Sequence, residues 1–171
     1  VESLGGTFIE VEHQDGEDAQ TKGGYAKEMS DDYKKKQTQL IHDTLKTQDI
    51  VICTALIPGR PAPKLISEAM LKDMPSGAVV VDLAAIAGGN CAGSVADKIV
   101  TKHGVKIIGH TNMPGRLSST ASQLYAKNLF NFIEPMVNSK LKHIKINFED
   151  EIIQGTLITH DGKIVHPLLT K

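Results

Sequence analysis

Three stretches of this sequence are apolar at consecutive positions: DIVICTAL from Asp49, GAVVVDLA from Gly77 and KIIGHT from Lys106. A strand with one wet face alternates apolar and polar residues, whereas an unbroken apolar run of this length suits a strand buried on both faces. Amphipathic segments separate these runs. Ahead of the first, Ser30 is placed to cap a helix whose positive first turn suits Asp31 and Asp32. Along it Tyr33, Leu40, Ile41 and Leu45 recur on one side. After IPGRPAP, the segment KLISEAMLKDM predicts a short helix with Leu65, Ile66, Ala69 and Met70 as its inner face. Gly104 and Lys106 mark the approach to the third run. Apolar strands alternating with amphipathic helices predict an α/β fold, a doubly wound, Rossmann-like parallel sheet covered on both faces.

The ends of the chain depart from this pattern. VESL reads as the end of a helix stopped by Gly5-Gly6, as in a chain cut within an element, and TFIEV, from Thr7 to Val11, predicts a strand. After NMPGR, Ser119 to about Asn138 predict a long helix that Pro135 kinks or ends. The tail EIIQGTLITHDGKIVHP predicts two strand-like pieces joined through Asp161-Gly162, a hairpin turn signal. The expected organisation is therefore residues 1–118 as the C-terminal part of a Rossmann-like lobe lacking its first strands, and 119–171 as a helix and hairpin of another lobe.

Composition narrows the function. A net charge of −1 and the absence of a basic stripe argue against a nucleic-acid partner. No apolar run approaches the roughly 18 residues that cross a bilayer. Two cysteines and seven histidines without ligand spacing give no expectation of a metal, and Cys53 reads as a small buried hydrophobe.

In a doubly wound sheet, ligands lie beyond the carboxyl ends of the strands. Here those ends are TALIPGRPAP, DLAAIAGGNC and HTNMPGR. Their small residues allow either close backbone approach by a ligand or simply tight loops. Asp82 admits two readings: a catalytic acid, or the commoner role of an Asp that ends an apolar strand and bonds neighbouring loop N–H groups. His110 is a candidate base or a structural histidine. Arg60 and Arg116 are candidates for phosphate or a partner domain, against the default of solvated loop residues, and DDYKKKQ is most simply a solvated helix face. A GxGxxG turn followed by a ribose-binding acid is the usual dinucleotide signature. It is absent from these residues.

GGYAKEMS, TALIPGRPAP, VVVDLAAIAGGNC and TNMPGRLSSTASQLYAKNL, in this order, resemble the NAD(H)-binding domain I of proton-translocating NAD(P) transhydrogenase. The resemblance runs along nearly the whole chain, and alanine and saccharopine-type dehydrogenases share parts of the last three motifs. It implies that NAD(H) binds between two lobes and that domain I pairs as a dimer. Hydride passes to NADP(H) on a partner domain, coupled to proton movement through a membrane domain. The chain would then be a soluble part of an enzyme of the bacterial inner membrane or an organellar membrane. The implied cofactor-binding residues are Gly24 at the hinge of a mobile loop, Tyr25 at its tip and Met29 nearby. Thr54, Ala55 and Leu56 would line the nucleotide mainly through backbone, with Asp82, Gly88, Gly89 and Asn90 at the next strand end and Asn112 at the one after. No catalytic residue is implied.

Ile86 separates the alternatives. Alanine dehydrogenases carry an acid two positions before Gly88, and amino-acid oxidation needs a group that moves a proton. Direct hydride transfer between two cofactors needs alignment and dry surroundings instead. Transhydrogenases usually carry an acid there too, so Ile86 departs from both patterns. The remaining readings are an alanine or saccharopine-type dehydrogenase, and a piece that only packs or dimerises. Lacking the glycine turn and the ribose acid, the isolated chain is expected to bind NAD weakly or not at all and to be inactive.

Overall fold

The helix expected after Ser30 forms as α1, Asp31–Leu45, with the Ser30 hydroxyl accepting the Tyr33 N–H at 3.3 Å. The computed structural model describes residues 1–11, 30–57, 59–138, 140 and 142–170. They fall into two compact units, Val1–Met113 and Pro114–Lys171.

In the first unit, α1 leads to β1, Ile50–Cys53, then α2, Glu68–Asp73, and β2, Val79–Asp82. β3, Ile99–Lys102, and β4, Val105–Ile108, complete a sheet of order β1-β2-β4-β3. β1, β2 and β4 are parallel and coincide with the three apolar runs. β3 is antiparallel to β4, so the sheet is not wholly parallel as expected. The cause is the turn at His103 and Gly104, with φ of 51° and 81°. Two consecutive residues at positive φ make the tight turn whose twist matches a hairpin. Gly104 is required for packing as well, because a Cβ there would lie 2.6 Å from the Ser76 hydroxyl.

The core lies on one face of this sheet. Val80, Val105 and Ile107 are fully buried beneath Leu45 of α1 and Met70 and Leu71 of α2. His42 of α1 bonds Asp73 of α2 at 2.7 Å, closing the helical layer. On the opposite face Ile52, Val81, Ile108 and Ile99 align in register across all four strands. Ile52 is 63% exposed and Ile99 54%. Among the described residues, the helices packed in the core cover one face. An apolar run reports that a strand can be dry on both sides, but not which segment supplies the second cover.

Two further expectations change. Thr7–Val11 lies outside any strand, since a strand exists only through a ladder with a neighbour; Phe8 and Ile9 stay exposed beside α1. Gly5, at φ 78°, does stop a single turn, Glu2–Leu4. The helix expected across KLISEAMLKDM is shorter. Ser67 caps it, accepting the Met70 N–H at 3.2 Å, and Met74 before Pro75 is extended. Ile66 instead bridges Cys91, Ala69 is exposed, and Leu71 joins Met70 inside.

At the junction of the units is α3, Met113–Arg116. In the second unit α4, Ser118–Ile133, runs into a tight turn, Glu134–Met136, where Pro135 ends it. Leu124, Tyr125 and Phe130 on α4 are exposed. β5, Val137–Asn138, pairs β6, His143–Ile144. The start of the tail is helical rather than strand-like. Asp150 caps α5, Glu151–Thr156, accepting the Ile152 and Ile153 N–H groups at 2.8 and 3.3 Å. β7, Thr159–His160, then turns through Asp161 and Gly162, both at positive φ, into β8, Lys163–Ile164. No described helix is long and apolar enough to cross a membrane.

Candidate functional site

Parallel pairing sets Cys53, the last residue of β1, beside Asp82, the last residue of β2. The two segments that follow form the rim of the candidate site. Asp82 is fully buried, and its carboxylate is committed to the loop after it. Oδ1 accepts the Ala84 N–H at 3.0 Å; Oδ2 accepts the Cys91 N–H at 2.9 Å and the Ser94 hydroxyl. These donors replace the water lost on burial. Of its two sequence readings, the loop-bonding role is the one the geometry displays.

The glycine pair divides its labour. Gly88 has φ 95° and is exposed, and a Cβ there would meet nothing within 4 Å. Gly89 has φ 81° and is buried, with the position of a Cβ only 2.7 Å from Asp82 Oδ2. Gly88 leaves open surface, while Gly89 makes room for the carboxylate.

Asn90 is also fully buried. Its Oδ1 accepts the Ala55 N–H at 3.0 Å, and Nδ2 donates to Ala55 O at 2.9 Å and Pro63 O at 2.8 Å. Its backbone carbonyl accepts from Leu65 and Ile66 at 2.8 and 3.0 Å. Ala62 N–H donates to Ala87 O at 2.8 Å, and Lys64 Nζ reaches Gly88 O at 2.6 Å. Asn90 thus holds both the N–H and the C=O of Ala55, one of the residues expected to line the nucleotide. Asn90 itself spends its amide on protein.

The third strand end is strapped from the side. Asp97 Oδ1 accepts the Thr111 N–H at 3.0 Å and the Thr111 hydroxyl at 2.5 Å. Those bonds, the hydroxyl first, hold the Asp97 carboxyl below its ordinary pKa. Gly109 packs against Val95, where a Cβ would lie 2.4 Å from the carbonyl oxygen. His110 is half-buried and Asn112 exposed.

The exposed positions among the predicted site residues are thus Thr54, Leu56, Gly88 and Asn112. Gly24, Tyr25 and Met29 lie outside the described residues. Beside the rim is an open groove of about 670 Å³, whose lining includes Leu56, Ile57, Arg60 and Ile86. Ile86 is 68% exposed there. The largely apolar lining of this groove suits a flat ring. A second hollow of about 500 Å³ lies between Phe8–Val11 and α1, and its lining includes none of the strand-end residues. Burial pushes the Cys53 thiol up to about 12, with the Asp82 charge adding to it, and burial raises Cys91 as well. Neither is a nucleophile near neutral pH.

The sequence profile of the alanine dehydrogenase/PNT C-terminal domain matches residues 1–167. The chain belongs to that family. Within the alanine dehydrogenase/PNT family, it is 54% identical over 170 residues to the first part of the NAD(P) transhydrogenase alpha subunit of Rhodospirillum rubrum, covering 99% of this chain and 44% of that one. The crystal structure of transhydrogenase from Sinorhizobium meliloti superposes with a TM-score of 0.68 at 44% identity, covering 96% of this chain and 41% of that one. Alanine dehydrogenase of Lysinibacillus sphaericus is more distant, 36% identical over 114 residues, 63% of this chain and 30% of that one. This alanine dehydrogenase/PNT domain therefore spans less than half the length of these relatives, and its Rossmann-like sheet is the one they share.

Proposed function

We propose that this chain is the NAD(H)-binding part of a proton-translocating NAD(P) transhydrogenase. The observation that carries the reading is the 54% identity, over nearly the whole chain, to a transhydrogenase alpha subunit. The geometry supports it: the rim offers an apolar groove with Ile86 on its lip, which suits alignment of a nicotinamide better than proton transfer to an amino acid. When bound, NADH supplies the hydride, which passes to NADP+ on a partner domain.

In this reading Thr54, Leu56, Gly88 and Asn112 contact the nucleotide, while Ala55, Asp82, Gly89 and Asn90 hold the rim in place. Gly24, Tyr25 and Met29 belong to a loop that covers the site and excludes water. Residues from about Ser119 onward belong to the other lobe, and the domain pairs as a homodimer. The NADP(H)-binding and membrane domains complete the enzyme.

The test uses the full-length protein assembled with its NADP(H)-binding domain. It should reduce an NADP+ analogue from NADH with no amino acid present. NAD+ reduction that depends on an amino acid would overturn the reading in favour of a dehydrogenase.

A further inference from the structure

The geometry points to Asn90 as a positioning residue: its buried amide pins the rim at Ala55 and Pro63 without touching the ligand. The inference deepens the proposed function, since that rim is the surface assigned to the nucleotide.

Backbone pairing brings β1 and β2 to a common end, where Leu83 N–H donates to Cys53 C=O at 2.9 Å. In an extended chain, alternate residues turn the same edge to the neighbour, so Ala55 faces the way Cys53 does. By then the chain after β2 has turned away into the short helical turn Ala85–Ala87. Asn90 fills the gap. A primary amide presents one C=O and two N–H groups. Here the C=O takes the Ala55 N–H, and Nδ2 serves both Ala55 O and Pro63 O. The side chain thus acts as one more residue of a partner strand, and extends β1 past the point where its true partner leaves. Asp82 holds the carrier of that amide, through the Cys91 N–H adjacent to Asn90.

A local role makes a local prediction. Asn90→Ala in this chain should speed hydrogen exchange at the Ala55 amide roughly tenfold or more, with Val80 and Ile107 unchanged. Asn90→Asp keeps an acceptor for the Ala55 N–H but loses both donors. Its Ala55 amide should stay protected while exchange rises at the Arg60, Ala62 and Lys64 amides, Pro61 and Pro63 having no N–H. In the assembled full-length protein both variants should raise KM for NADH roughly tenfold, with kcat within about twofold. Unchanged Ala55 exchange in Asn90→Ala overturns the proposal. So does loss of protection at Val80 and Ile107 together with Ala55, which would make Asn90 a general stabiliser. Faster Ala55 exchange with unchanged KM, or a fall in kcat alone, also overturns it. If the wild-type assembly transfers no hydride from NADH, the functional reading fails, and exchange at Ala55 alone decides whether Asn90 holds the rim.

Discussion

Gly89 and Asp82 fit one another as a hole fits a peg: the space a Cβ would take at 89 lies 2.7 Å from the Asp82 carboxylate. Gly89→Ala therefore forces both an unfavourable positive φ and an overlap with the Asp82 and Ser94 side chains. Its neighbour Gly88 carries the first penalty alone, because a Cβ there meets nothing. Gly88→Ala should cost about 1 kcal/mol and Gly89→Ala about 2–3 kcal/mol or more. Urea unfolding followed by circular dichroism measures both; equal losses would show that the Asp82 and Ser94 side chains yield easily.

Asp97 and Thr111 give a pH-dependent strap. The folded pKa of Asp97 is lowered, so its contribution to stability is present above the unfolded value and is lost as pH falls through the folded one. The window lies below about pH 4. Thr111→Val removes the hydroxyl bond and leaves the backbone one. The Asp97 carboxyl should then titrate closer to its ordinary value, as read by carboxyl carbon shifts in an NMR titration. An unchanged titration would assign the effect to the backbone N–H.

The Cys53 thiol, raised to about 12, should resist alkylation in the folded chain. At pH 8 its reaction with iodoacetamide should be slower than that of an ordinary thiol by on the order of a thousandfold. It should label readily once urea unfolds the protein. Mass spectrometry of the Cys53 peptide distinguishes these outcomes, and fast labelling without urea would mean the first strand end opens.

Tyr25 tests the proposed cover. In the full-length enzyme Tyr25→Ala should weaken NADH binding or slow hydride transfer, by roughly tenfold if the ring shields the reacting atoms from water. Stopped-flow transfer to an NADP+ analogue reads it directly. Wild-type kinetics would leave Tyr25 as surface.

What could be read beforehand follows from which interactions are local. Ser30 announces α1 because a cap and its helix are adjacent in sequence. The runs around Val51, Val80 and Ile107 announce strands because unbroken apolarity has few other uses. Thr7–Val11 misled, since propensity supplies no ladder partner. Ile99–Lys102 stayed hidden because His103-Gly104 lacks the usual Asn-Gly or Asp-Gly of a hairpin turn and lysines flank the strand. The site divides in the same way. That the strand ends carry polar residues and glycines was legible. That Asn90 grips Ala55, 35 positions earlier, was not, because nothing local to either residue records it.

Asn90 grips only backbone atoms of the rim. The two ends of that segment, Ala55 and Pro63, are therefore fixed by a residue elsewhere, while Leu56, Ile57 and Arg60 line the groove. Those positions are free to drift without bending the loop that carries them. A lineage can thus retune what the groove accepts by single substitutions, and keep the frame that holds it.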